Sequence, residues 1–149
     1  MIDVNSDEFF MREALKEAQR AFDKGEVPVG VVVVADNKII ARAHNLTQTL
    51  NDVTAHAEMQ AITSAANAIN GKYLNDCKMY ITLEPCVMCA GALSWSQIGE
   101  LIYGAADEKK GFTRYASNLL HPKTKIKAGV LENESRELMQ RFFKKLRNT

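Results

Sequence analysis

Disulfide cross-linking has little material in this 149-residue chain, which holds three cysteines, an odd number with two of them spaced as Cys86-x-x-Cys89. A cysteine-stapled framework is therefore excluded. No apolar stretch approaches the roughly 20 residues needed to cross a bilayer, so a spanning segment is not expected. Met1-Ile2-Asp3-Val4-Asn5 carries neither the basic start nor the apolar run of a secretion signal, and a reducing cytoplasm is the simplest expected compartment. Excess charge of one sign is missing too: 19 basic against 18 acidic residues give a net charge of +1, which offers no support for general polyanion binding. Repeats, low-complexity stretches and linkers are absent, so one domain is expected over residues 1–149. What is present, 46% hydrophobic and 25% charged residues, is the composition of a globular domain. A domain of this size buries roughly two thirds of its unfolded surface and folds without staples, which leaves the cysteines for other work.

Apolar residues Met11, Ala14, Leu15, Ala18, Ala21 and Phe22 recur at three- and four-residue steps and predict a helix over 7–24, capped by Asn5 or Ser6 and ended by Gly25. Residues 27–34 are β-branched and Asp36-Asn37 has turn chemistry, so a hairpin with residues 38–43 is expected. After a polar stretch, a helix is expected from Thr54 to Ile69, ended by Gly71. A strand at 78–83 leads to Pro85, placed in the first turn of a third helix that also holds Cys86 and Cys89. Strands at 100–104 and 125–130 and a last helix over 132–147, with Leu138, Phe142 and Leu146 on one face, complete the pattern. Helices alternating with strands after a hairpin predict a three-layer α/β/α sandwich around a mixed five-stranded sheet, with ligands at the carboxyl ends of strands.

The residues that carry chemistry lie at two expected helix starts. Zinc prefers nitrogen and sulfur donors in a tetrahedron, and catalytic sites supply three from protein. His56, Cys86 and Cys89 provide that set, with the two cysteines at i, i+3 facing the same way. Glu58, two residues after His56, diverges from that donor and suits proton transfer instead: zinc lowers the pKa of its water to about 7, and a nearby carboxylate can carry the proton onward. A lone C-x-x-C is equally a redox pair or half of a structural site. A structural site needs a fourth ligand, for which His44 and His121 are the remaining histidines. Cys77 is expected to pack beside a strand.

His56-Ala57-Glu58 followed by Pro85-Cys86-Val87-Met88-Cys89 resembles the established signature of the cytidine deaminase superfamily. Within it, Val27-Pro28-Val29-Gly30, Thr54 to Glu58 and Thr82 to Ala92 resemble the bacterial tRNA adenosine deaminases, with similarity from about Glu13 to Phe143. The resemblance implies a cytidine-deaminase-like fold and hydrolytic deamination of adenosine to inosine at the wobble position of a tRNA anticodon stem-loop by a homodimer. It also implies one Zn2+ per subunit on His56, Cys86 and Cys89, with Glu58 as the catalytic proton carrier. Base recognition would fall to the Asn45 amide, which can donate and accept along a heterocycle's edge. Backbone groups of Leu83 and Glu84 and the side chain of Val29 would complete the substrate contacts.

Two local clusters are candidate RNA contacts: Lys123, Lys125 and Lys127 on one side of an extended segment, and Phe142, Phe143, Lys144 and Arg147 at the end of the last helix, where a ring could stack on a base. The chain departs from the family at Val53, where proline is usual, at bulky Phe112, and at Trp95, a residue frequent near that place in guanine deaminases. Trp95, Phe112 and the near-neutral charge favour a rival reading, a free-base or nucleoside deaminase of guanine or cytosine type. A second rival is a zinc-stabilised RNA-binding module without catalysis, against which Glu58 speaks.

Overall fold

The structure, a computed structural model, describes residues 6–149. Helix α1 (Asp7–Asp23) starts where the Ser6 side chain accepts from the Phe9 N–H, and Gly25 follows its end at φ +77°. Asn5, the alternative cap, lies outside the described residues. Strands β1 (Gly30–Ala35) and β2 (Lys38–His44) form the expected hairpin. Its two-residue turn, Asp36-Asn37, has both φ angles positive, which matches the right-handed twist of the flanking strands.

Helix α2 (Ala57–Ile69) begins three residues later than expected. Asp52 accepts from the Thr54 N–H at 2.8 Å and from the Thr54 hydroxyl at 2.7 Å, so residues 52–54 form a turn that competes with a helical start. The left-handed residue at its end is Asn70, not Gly71. Strand β3 (Cys77–Leu83) leads to α3 (Val87–Ser96), whose capping residue is Cys86; Pro85 stands before the helix rather than in its first turn. Strand β4 (Glu100–Ala105), a short 3-10 turn (Phe112–Arg114), β5 (Lys125–Ala128) and α4 (Glu132–Arg147) follow. On α4, Leu138 and Phe142 are buried and Leu146 is exposed, because the helix runs off the edge of the core before its last turn.

The mixed five-stranded sheet has the order β2-β1-β3-β4-β5, with β1 antiparallel to both neighbours and β3, β4 and β5 parallel. Alternation within β1 divides the core. Val31 and Val33 join Ala57, Ala61, Ala65, Met79 and Ile81 under α2 and α3, whereas Val32 and Val34 join Phe10, Met11, Ala14 and Tyr80 under α1. Helix α4 packs on the α1 face, against β4 and β3, which completes the α/β/α sandwich that the sequence predicts. Gly30 is where α1 approaches most closely: a Cβ there would overlap backbone atoms of Ala14 and Ala18. Cys77 packs in the core as expected.

The topology gathers one end of the sheet for function. Because β1 runs against β3, the entry to β1 (Val29-Gly30), the exit from β2 (Asn45) and the exits from β3 and β4 (Glu84, Ala106) share that end. Among the described residues, no helix is long and apolar enough to cross a membrane.

Candidate active site

At that end, α2 and α3 point their amino termini toward one donor cluster. His56 caps α2 and Cys86 caps α3, both in extended backbone. Nδ1 of His56 lies 3.7 Å from Cys86 Sγ and 3.5 Å from Cys89 Sγ, and all three ligand atoms fall within 4.8 Å of one another. Tetrahedral zinc with ordinary Zn–N and Zn–S bonds spaces such atoms about 3.6 Å apart, so the donor set fits a single ion in chemistry and in spacing. The other two histidines are elsewhere: His44 is engaged by Glu17 and Lys24, and His121 lines a cavity at the opposite end of the sheet.

The electrostatics suit a cation. A hydrogen bond from the Cys89 thiol brings the Cys86 thiol down to about 5 against the pull of burial, helped by the amides of Cys89 and Met88 and by His56. The same bond, with burial, pushes the Cys89 thiol up. The hydrogen bond thus favours thiolate at Cys86, and metal binding would require both sulfurs as thiolates. Glu58, the second residue of α2, is buried beside them, and burial pushes its carboxyl up to about 7. The negative Cys86 adds to that rise, while local backbone, His56 and the Cys89 thiol oppose it.

A groove of about 1120 Å³ opens from this cluster. Val29, Asn45 and Thr47 line one side, Leu83, Glu84 and residues 105–110 the other. Asn45 Oδ1 is buried without a hydrogen-bond partner among the described residues. Of the backbone groups expected beside the metal, the Glu84 N–H donates to Ala105 O at 2.8 Å and is engaged within the fold. Its carboxylate instead accepts from Asp107 N–H (3.1 Å), Thr113 N–H (3.0 Å) and the Thr113 hydroxyl (2.7 Å). Gly111 is needed beside it, because a Cβ there would overlap that carboxylate.

A family model described as MafB19-like deaminase matches residues 5–147. The tRNA-specific adenosine deaminase of Aquifex aeolicus is 49% identical over 95% of this chain and 96% of its own length. The Bacillus subtilis protein of the same name is 43% identical over 97% of this chain and 92% of its own. The chain belongs to the tRNA-specific adenosine deaminase family. A solved structure from studies of A-to-I editing by tRNA:A34 deaminases at the wobble position agrees, with a TM-score of 0.81, 42% identity, and coverage of 87% of this chain and 97% of that one.

In this deaminase, only part of the expected RNA surface meets the groove. Phe143, 38% exposed, and Arg147 line it. Phe142 is buried against Phe22, with ring centroids 5.8 Å apart, and Lys144 is exposed on α4 away from the groove lining. Lys123 and Lys125 line the separate cavity of about 590 Å³ at the far end of the sheet, and Lys127 pairs with Asp7 at 2.7 Å. The parallel pairing of β5 with β4 puts them there. Sequence reasoning missed Arg136, Met139 and Gln140, which line the groove with Phe143 and Arg147; counted from Arg136, the others lie three, four, seven and eleven residues on, along one face of α4. Lys109 and Lys110 were missed as well. The two residues favouring a guanine-type site lie outside the groove: Trp95 is 85% exposed on α3, and Phe112 is fully buried in the core.

Proposed function

We propose that the chain acts as one deaminase domain that converts adenosine to inosine at the wobble position of a tRNA anticodon, with zinc on His56, Cys86 and Cys89. The observation that carries this reading is the buried carboxyl of Glu58 beside a three-donor cluster, at the base of a groove that holds the unpaired Asn45 oxygen. Bound zinc would supply Lewis-acid chemistry, making a water nucleophilic near neutral pH.

The protein's own groups handle the base and the protons. Asn45 Oδ1 accepts from the base edge, and Val29 gives the purine an apolar wall. The buried Glu58 carboxyl, beside the donor cluster, serves as both base and acid. It takes a proton from the attacking water and delivers it to ring N1 as the C6–O bond forms, then carries the remaining hydroxyl proton to the amino group as the C6–N bond breaks and the C6 carbonyl forms, so that water and adenosine give inosine and ammonia. Phe143, Arg147, Arg136 and Lys110 continue the groove as an aromatic and basic path for the anticodon strand.

Incubation of the zinc-loaded protein with an anticodon stem-loop tests the reading: inosine at the wobble position is expected by sequencing, and consumption of free guanine without any inosine would sink it. We further propose a homodimer. Helix α3 is apolar on both sides, and its Val87, Met88 and Trp95 are exposed together with Leu50 and Val53. Sedimentation should give twice the chain mass, falling to one chain mass in Trp95→Glu. Three unpaired thiols suit a reducing cytoplasm.

A further inference from the structure

We propose that Glu26 is a positioning residue that fixes one wall of the groove and thereby the grip on the RNA strand, an inference that rests on the function proposed above. Glu26 follows Gly25 at the end of α1 and is fully buried. Among the described residues, every hydrogen bond to its carboxylate comes from a single loop. Oε1 accepts from Gln48 N–H at 3.1 Å and the Thr47 hydroxyl at 3.4 Å; Oε2 accepts from Thr49 N–H at 2.6 Å and the Thr49 hydroxyl at 2.7 Å.

That loop links the two ends of the site. It leaves β2 at Asn45, whose N–H donates to Val29 O, and returns at His56, the first of the clustered donors. Thr47 lines the groove between them. Residues 48–54 are all exposed, so no core packing shapes this stretch. Its conformation depends on hydrogen bonds, and Glu26 receives four of them from residues 47–49. A buried carboxylate is costly to keep, and here four donors from the groove wall compensate it. The Glu84 carboxylate does the same on the other side, holding residues 107–113. Glu26 itself touches neither the donor cluster nor the groove, so its effect must pass through the loop.

The test uses full-length, zinc-loaded wild type, Glu26→Gln and Thr49→Val, with kcat and KM measured on an anticodon stem-loop. Glutamine turns an amide N–H2 toward loop donors, so Glu26→Gln is expected to raise KM about tenfold with kcat changed less than about twofold. Thr49→Val, which removes one donor from an exposed position and keeps the backbone bonds, is expected to raise KM about threefold. Glu26→Asp should recover part of the Glu26→Gln loss, since it keeps the charge. A loss carried by kcat alone, or an unchanged KM in Thr49→Val, overturns the proposal, and the second result does so even if Glu26→Gln fails to fold. Wild type that makes no inosine overturns the functional reading itself.

Discussion

His56 and Cys86 hold the same place on two different helices: each is the capping residue before the first turn, and their Nδ1 and Sγ atoms lie 3.7 Å apart. The His56 side chain makes no capping hydrogen bond. The first-turn N–H groups of α2 and α3 point toward the site, where those of Met88 and Cys89 support the Cys86 sulfur, and their partial positive charge favours thiolate and other anions there.

Glu58 is the group whose loss should stop chemistry without dismantling the site. Glu58→Ala is expected to lower kcat by about 10³-fold or more, while zinc content by atomic emission stays at the wild-type level. Loss of the metal from that variant would move Glu58 into the ligand set.

Cys89 is buried and sits at the third helical position of α3, close to His56. In Cys89→Ala, bound zinc should fall from one per chain to near zero, and inosine formation with it. Chelation of the wild type should lower its melting temperature by more than about 4 °C, with recovery on adding zinc. A chelated protein that stays fully active would refute the metal requirement.

The acid limb of the stability curve should carry a signature of Glu26. Burial pushes its carboxyl up, but the amides of Gln48 and Thr49 and the hydroxyls of Thr49 and Thr47 outweigh burial and leave it below the ordinary carboxylate value. A depressed folded-state value stabilises the fold above the unfolded-state pKa of about 4.3, and that contribution fades as pH falls through the folded value. Denaturant titrations from pH 7 to pH 3 should therefore show a shallower loss in Glu26→Gln than in wild type. Equal slopes would contradict the assignment.

Arg147 and Lys125 separate the two ends of the sheet. Arg147→Ala should weaken stem-loop binding and reduce the slope of log affinity against log salt by about 1, because one phosphate contact is lost from the groove. Lys125→Ala, at the far cavity, should leave affinity and slope unchanged. The reverse result would place the RNA on the other end of the molecule.

Local patterns made much of this legible. The three-and-four spacing from Met11 to Phe22 marks α1, the valine run marks β1, and the short runs His56-Ala57-Glu58 and Pro85 to Cys89 each mark one half of the donor cluster, because each depends on residues close in sequence. Features set by distant partners were hidden. Asp52 and Thr54 look like a helix start and form a turn instead. Lys123 and Lys125 could be assigned to an end of the sheet only once β5 was known to run parallel to β4. Phe112 reads as a loop residue but fills the core, since the loop doubles back with its N–H on Pro85 O at 2.9 Å. Glu26 carries no local mark, as its partners lie more than twenty residues away.

The missing side chain at Gly30 reaches further than its own contact. By letting the backbone of α1 rest directly on β1 at Ala14 and Ala18, it fixes the depth of that helix, and so the height at which Glu26 emerges from its end. The station of the loop is thus written in the gap between two backbones. Exchanges along the exposed stretch 48–54 can alter what the molecule shows to a nucleotide, while where it shows it is governed from beneath.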